Sequence, residues 1–95
     1  MKYFVLLYDG VEGYLEKRAP LREAHLALVR AAYARGELVM AGALSDPDGS
    51  LLVFRVEDAD VVEAFARSDP YVMGGVVRSW AVRPWTVVVG GDSTG

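Results

Sequence analysis

The chain has 95 residues and no cysteine, and its 13 acidic and 10 basic side chains give a formal charge of -3. This length predicts a single domain, and a hydrophobic share of 53% excludes an intrinsically disordered protein. The missing cysteines exclude a disulfide scaffold and thiol catalysis, and the acidic balance argues against a nucleic-acid partner. Apolar runs fall short of the roughly 20 residues that span a bilayer, and a secretory pattern is missing. We therefore expect a small cytoplasmic domain that binds neither membranes nor nucleic acid.

The first predicted strand, Lys2 to Tyr8, is apolar on both of its faces. Its alternating side chains are Tyr3, Val5 and Leu7 on one face and Phe4, Leu6 and Tyr8 on the other. A strand that is wet on one side alternates apolar with polar residues, so both faces should be covered. Helices of this chain can cover only one face. The second face therefore predicts a partner subunit, in a homodimer or a higher homo-oligomer.

A helix follows the turn at residues 10–13 and is best defined from Pro20 to Arg35. Proline suits the first turn of a helix, and Gly36 ends the helix at the usual C-terminal position. The apolar stripe recurs at spacings of three and four residues. Its members are Leu21, Ala24, Leu28 and Ala32.

Turn signals divide the rest of the chain into three strands and one helix. Asp58 or Asp60 caps the second helix, and Glu63, three residues after Asp60, suggests a capping box. Asp69-Pro70 ends that helix, because a residue that precedes proline avoids the α region. The buried face of this helix is Val62, Phe65 and Ala66. The strands are Glu37 to Leu44, Leu51 to Val56 and Val76 to Val82, with Val87 to Val89 as a candidate continuation.

The resulting order, β-α-β-β-α-β, predicts an α+β, ferredoxin-like fold. It comprises a four-stranded antiparallel sheet with two helices on one face. We assign residues 1–89 to this domain and residues 90–95 to a disordered C-terminal tail. The pattern fixes the architecture but leaves the activity open.

His25 is the only histidine, and it lies within the helical stripe between Leu21 and Leu28. One interpretation is a partly buried histidine whose ring is satisfied by a neighbour. The other is a general acid or base that faces the sheet, since imidazole exchanges protons near neutral pH. The second role requires a partner that orients the ring.

Asp69 offers such a carboxylate at the end of the second helix. It is either a surface helix terminator or a residue selected for another purpose, because a helix C-terminus disfavours negative charge. The two helices lie side by side in this fold, so Asp69 can approach His25, fix its tautomer and stabilise the imidazolium. Tyr71 would add a hydroxyl donor. The single histidine provides no zinc-binding pattern, and we predict neither a metal nor a cofactor.

Several short elements together resemble the YCII-related (YciI-like) family in their order and spacing, from about residue 2 to residue 88. They are Leu15-Glu16-Lys17-Arg18, Arg22-Glu23-Ala24-His25-Leu26, Gly36-Glu37-Leu38, Ala41-Gly42-Ala43-Leu44, Asp69-Pro70-Tyr71, Gly75 and Val82-Arg83-Pro84-Trp85. The resemblance implies a dimeric α+β barrel and a shared histidine and aspartate that suggest enzymatic activity. The histidine maps to His25 and the aspartate to Asp69, with Asp46 as the lesser candidate. The family commonly has Gly-Pro after the second strand, where this chain has Gly42-Ala43.

Two functions follow from these residues. The first is a small cofactor-independent enzyme that isomerises a small organic substrate, cyclic or aromatic, or eliminates a group from it. His25 would move the proton, Asp69 would orient His25, and Tyr71 or Arg22 would hold the substrate's oxygen, with Asp46 as a further cleft residue. The alternative is a non-catalytic dimeric module that binds a small ligand or a regulatory protein. An oxygen-using monooxygenase of the same barrel group rests on fold analogy alone.

Overall fold

The computed structural model describes residues 1–91, in which four strands form one antiparallel sheet of order β2-β3-β1-β4. Helices pack on one face of this sheet, so the predicted ferredoxin-like α+β fold is confirmed. The elements are β1 Lys2–Gly10, α1 Tyr14–Arg18, α2 Arg22–Ala34, β2 Leu38–Leu44, β3 Gly49–Val56, α3 Ala59–Ser68, α4 Pro70–Met73 and β4 Val77–Trp85.

The chain between β1 and α2 is more structured than the sequence pattern predicted. Gly13 adopts a left-handed conformation (φ 76°) that lets α1 begin directly after the turn. A 3₁₀ turn, Ala19–Leu21, then separates α1 from α2. Pro20 therefore lies in this turn, and the prediction that α2 begins at Pro20 was wrong by two residues. The extra helix matters because it buries Tyr14 beneath the sheet end and brings Arg18 beside it.

The buried stripe of α2 differs from the predicted one at a single position. Ala24 is exposed, whereas His25 is buried together with Ala32. Leu21 and Leu28 pack against the same core. The actual stripe therefore advances from residue 21 to 25, 28 and 32, which follows the helical period as well as the predicted one does. The imidazole thus faces the core, as its predicted place within the stripe implied, and only the expected burial of Ala24 was wrong.

Local capping settles where α3 begins. Asp58 is the N-cap, and its side chain accepts a hydrogen bond of 2.9 Å from the Asp60 N–H. The Asp58 alternative is therefore right and the Asp60 capping box is wrong, because Asp60 lies within α3. Glu63 pairs instead with Arg67 one turn later, at 3.2 Å. Asp69 ends the helix in an extended conformation, as its position before proline predicted.

The hydrophobic core lies between the helices and one face of the sheet. Phe54 contributes from the central strand β3 and meets Phe65 of α3 edge to face, with ring centroids 5.1 Å apart. The predicted inner face of α3 is buried as expected. The sheet supplies further buried side chains, chiefly Phe4, Leu6, Tyr8 and Leu52.

The opposite face of the sheet carries apolar side chains that no helix in residues 1–91 covers. Val5 and Leu7 are half-buried on this face, while Met40 and Trp85 are 63% and 48% exposed. Strand β4 ends at Trp85, so the candidate continuation over residues 87–89 lies outside it. Residues 92–95 of the predicted tail lie outside the described residues. None of the helices in the described part of the chain is long and apolar enough to cross a membrane.

Candidate active site

His25 and Asp69 meet beneath α2. The ring nitrogen Nδ1 of His25 lies 2.8 Å and 2.9 Å from the two carboxylate oxygens of Asp69. Both residues are buried, Asp69 completely and His25 with 7% of its surface exposed. The core-facing stripe of α2 places the ring, and the α3–α4 junction places the carboxylate. The two side chains that the sequence reading paired are therefore in direct contact.

A short helix explains why a carboxylate stands at the end of α3. Asp69 is also the N-cap of α4, and its Oδ1 accepts a hydrogen bond of 2.9 Å from the Tyr71 N–H. Pro70 follows at the first position of α4, where a missing N–H costs nothing. The charge that is unfavourable for the end of α3 is thus favourable for the start of α4.

Tyr8 completes the environment of Asp69, and the sequence analysis did not identify this role. Its hydroxyl donates a hydrogen bond of 2.7 Å to Asp69 Oδ2 from the inner face of β1. Burial raises the pKa of Tyr8, and the nearby Asp69 charge and this hydrogen bond raise it further. Tyr8 is therefore a neutral, permanent donor. The Asp69 carboxylate is held in position by three donors, namely the Tyr8 hydroxyl, the Tyr71 backbone N–H and His25 Nδ1.

The tautomer of His25 follows from its partner. A carboxylate only accepts hydrogen bonds, so Nδ1 carries the proton that points to Asp69, and Nε2 of the neutral ring is an acceptor. Nε2 makes no hydrogen bond within residues 1–91, and it is not among their buried unpartnered atoms. His25 is one of the residues that line a cleft of about 190 Å³. A neutral imidazole held in this way can act as a general base.

Tyr71 lies flat against the imidazole. The two ring centroids are 3.7 Å apart and the ring planes differ by 6°. The Tyr71 hydroxyl is buried and has no hydrogen-bond partner within the described residues. Burial raises the pKa of Tyr71, while the Arg18 and Arg22 guanidinium groups act in the opposite direction. Arg22 is thus close enough to favour the ionised phenol, although it makes no hydrogen bond of proper geometry with the hydroxyl.

The cleft lies between α2, the end of β2 and the start of β3. Its polar contributors besides His25 are Arg18, Arg22, Ser50 and Tyr71. Ser50 Oγ lies 2.9 Å from the Tyr14 hydroxyl. The guanidinium group of Arg18 is 5.3 Å from the centre of the Tyr14 ring. The remaining walls are small or apolar, namely Leu26, Val29, Ala41, Gly42 and Ala43.

Sequence reasoning found part of this lining. It named Arg22, His25 and Tyr71 but missed Arg18 and Ser50. Ser50 was not predicted because it lies in a stretch of turn-forming residues that indicates only a hairpin. Arg18 was not predicted because α1, which carries it, was not recognised as a separate helix.

Asp46 does not belong to this cleft. It is exposed in the β2–β3 hairpin, where its φ is 56°, and it is not among the residues that line the His25 cleft. A larger cavity of about 460 Å³ beside the hairpin contains neither His25 nor Asp69. The sequence had left two candidates for the aspartate that faces the histidine, and the structure brings Asp69 to it. Within residues 1–91, no three metal-ligating side chains gather into a metal site.

Comparison with known proteins gives three findings. Residues 1–86 match the YCII-related domain. The protein YciI of Escherichia coli O6:H1 is 33% identical, over 93% of this chain and 99% of its own length, and an uncharacterized protein of Haemophilus influenzae is 31% identical over 90% and 98%. A solved structure of TftG, the 5-chloro-2-hydroxyhydroquinone dehydrochlorinase of Burkholderia phenoliruptrix, aligns with a TM-score of 0.76 and 25% identity, over 87% of this chain and 92% of that one. That structure holds 2,5-dihydroxybenzoquinone. The chain belongs to the YCII-related family.

Proposed function

We propose that this protein is an enzyme that moves a proton on a small cyclic or aromatic organic substrate, in an isomerisation or an elimination. His25 is the acid and base, and Asp69 is the positioning residue that fixes its tautomer. Arg22 and Tyr71 contact the substrate's oxygen. The proposed chemistry uses only side chains of this chain and needs no cofactor.

The proposed step begins when His25 Nε2 takes a proton from a carbon next to a ring carbonyl. The electron pair of that C–H bond moves into the ring and leaves an enolate oxygen. In an isomerisation the imidazolium returns the proton to another carbon. In an elimination the pair expels a leaving group such as chloride as its anion, and the imidazolium passes its proton to water. Asp69 stabilises the imidazolium between these steps.

The single observation that carries this proposal is the contrast between the two nitrogens of His25. Nδ1 is held by a fully buried carboxylate, while Nε2 has no hydrogen-bond partner within residues 1–91 and the ring lines a cleft. Support of a different kind comes from the dehydrochlorinase TftG, whose name gives it a small aromatic substrate. Positioned proton transfer contributes about 10²–10⁴-fold, so the substrate's reaction should be intrinsically easy.

The test compares the wild-type protein with His25→Gln on a panel of small rings. Chloride release is measured on chlorinated hydroxyhydroquinones, and deuterium uptake from D₂O is followed by NMR on enolisable cyclic ketones. We expect acceleration by the wild type, and a loss of at least 100-fold in His25→Gln. The control is Arg30→Met, which changes an exposed residue of the same helix that does not line the cleft. The enzymatic proposal fails if folded wild-type protein accelerates nothing on the panel, or if His25→Gln is equally active. The non-catalytic binding module would then replace it.

The uncovered sheet face supports a second part of the proposal, a homodimer in which two such faces pack together. Leu44, 40% exposed, and Met40 lie on this face and would become buried. Replacing Met40 by Glu would place a charge in the interface, which is costly without a partner. Light scattering coupled to size-exclusion chromatography should show a dimer for the wild type and a monomer for Met40→Glu. A wild-type monomer at all concentrations would refute the dimer.

A further inference from the structure

Two arginines of the His25 cleft lack the carboxylate partners that Arg35 and Arg67 have. Arg18 and Arg22 both line the cleft, and neither forms a salt bridge within residues 1–91. In contrast, Arg35 pairs with Glu37 at 3.0 Å and Arg67 pairs with Glu63 at 3.2 Å. No carboxylate is among the cleft's lining residues. The cleft lining is therefore positively charged, although the chain as a whole is acidic.

A second observation points to the same place. The hydroxyl of Tyr71 is a buried polar group without a hydrogen-bond partner in the described part of the chain. Such orphaned groups are rare in folded proteins, because each costs the free energy of its lost hydration. Tyr71 lines the cleft, and both Arg18 and Arg22 lie near enough to influence its ionisation. An oxygen of a bound molecule would satisfy this donor.

We propose that Arg18, Arg22 and the Tyr71 hydroxyl form an oxyanion-binding site, so that the substrate enters the cleft as an anion. This inference rests on the proposed function for the identity of the pocket, and it adds the substrate's charge and a second arginine. The bound oxygen belongs to an ionised hydroxyl that is conjugated with a planar ring. Guanidinium groups attract such an oxygen by their charge and donate charge-assisted N–H hydrogen bonds to it.

The walls of the cleft argue for a single planar ring. Its volume is about 190 Å³, and a cavity of about 150 Å³ is known to hold benzene. Ala41, Gly42 and Ala43 form one wall with minimal side chains, and a side chain added at Gly42 would meet no atom within 4 Å. The stacked rings of His25 and Tyr71 contribute flat surface on the other side. A substituted six-membered ring fits this shape.

The charge also has a chemical consequence for the proposed reaction. Proton removal by His25 places additional negative charge on the ring oxygen. Fixed cations beside that oxygen stabilise the enolate as it forms, and such stabilisation is usually the largest single contribution to catalysis. Arg18 and Arg22 would therefore assist both substrate binding and the chemical step.

The test measures binding by calorimetry with three probes at low salt. 2,5-Dihydroxybenzoquinone carries hydroxyls conjugated with carbonyls and is an anion at neutral pH. 2,5-Dimethoxybenzoquinone has the same ring but is neutral, and benzoate carries its charge on a carboxylate. We expect the dihydroxy compound to bind at least tenfold more tightly than either of the other two. Its affinity should fall with added salt, because exposed charges are screened.

Three variants locate the site. Arg18→Met and Arg22→Met should each weaken binding of the dihydroxy compound by about tenfold, and Tyr71→Phe by a smaller factor. Arg30→Met removes the same charge from an exposed position outside the cleft and should change binding by less than twofold. Equal binding of the neutral analogue, a preference for benzoate, or an equal effect of Arg30→Met would each overturn the ring-oxyanion site.

His25→Gln separates this inference from the proposed function. The variant should keep its affinity for the dihydroxy compound while it loses turnover. If turnover survives in His25→Gln and the arginine variants still lose binding, the anion site stands and the catalytic role of His25 fails. If turnover depends on His25 and the arginine variants bind normally, the catalytic role of His25 stands and the anion site fails.

Discussion

Replacing Asp69 by asparagine should reverse the tautomer of His25. The carboxylate accepts a hydrogen bond from the Nδ1–H group of His25, with Nδ1 lying 2.8 Å from Oδ1 and 2.9 Å from Oδ2. An asparagine amide has one acceptor oxygen and one NH₂ group. Asparagine caps helices as well as aspartate does, so its oxygen can remain on the Tyr71 N–H. Its NH₂ group then faces Nδ1, which becomes an acceptor, and the proton moves to Nε2.

The size of the effect follows from the buried hydrogen bond. A hydrogen bond to a charged group contributes about 1.5–3 kcal/mol, which corresponds to a preference of roughly 10- to 150-fold for the Nδ1–H tautomer. More than about 90% of neutral His25 should therefore carry its proton on Nδ1. With the proton on Nε2, the ring cannot accept a proton from the substrate. A comparable substitution in the Ser-His-Asp triad lowers kcat by about 10⁴-fold.

The assay is ¹⁵N NMR of the imidazole at a pH where the ring is neutral. His25 is the only histidine of the chain, so its nitrogen signals need no separation from others. The wild type should show a protonated Nδ1 and an unprotonated Nε2, and Asp69→Asn the reverse. A wild-type ring with its proton on Nε2 would refute the assignment of His25 as a base that opens into the cleft.

Four further variants test the Tyr8 hydroxyl, the cap of α3 and the packing at two glycines of the sheet. Because the folded state raises the pKa of Tyr8, wild-type stability should be complete below about pH 10 and fall above it, as unfolding releases the proton. Chemical denaturation of Tyr8→Phe should show a shallower decline there, and an unchanged slope would contradict this. Asp58→Ala removes the cap of α3 and should cost about 1 kcal/mol in urea unfolding without affecting turnover. In Gly49→Ala the new Cβ would collide with the Tyr8 carbonyl oxygen, so we expect a loss of about 1–3 kcal/mol. The matched Gly42→Ala, which meets open space, should unfold within about 0.5 kcal/mol of the wild type, and similar losses for both would disprove this packing argument.

The fold could be predicted because its local signals agree with one another. The doubly apolar β1, the hairpin turn and the Asp69-Pro70 break each indicate one boundary, and together they permit few topologies. The errors lie where signals were weak. Ala24 and His25 are neighbours on the helix and both were placed on the buried stripe, but alanine gains too little from burial for the pattern to show that Ala24 faces solvent. The α1 helix depends on the left-handed Gly13 and has only five residues.

The candidate site could be predicted only in part, because its support is tertiary. His25 and Asp69 are unusual for their local positions, and that was visible in the sequence. Tyr8 looked like an ordinary apolar member of β1, since nothing local shows that its hydroxyl ends 2.7 Å from a carboxylate 61 residues away. Ser50 and Tyr14 meet in the same way, from β3 and α1. Such contacts depend on the packing of α1 and α4 against the sheet.

Chemical rescue tests the role of His25 most directly. His25→Ala should abolish turnover of whichever compound the wild type accepts, and it leaves a space beside the Tyr71 ring that free imidazole can fill. Added imidazole should restore turnover in a saturable manner, while pyrazole, which has a similar shape but is a much weaker base, should not. Circular dichroism would verify that the variant is folded. Unchanged turnover in His25→Ala, or equal rescue by pyrazole, would contradict a mechanism in which His25 carries the substrate's proton.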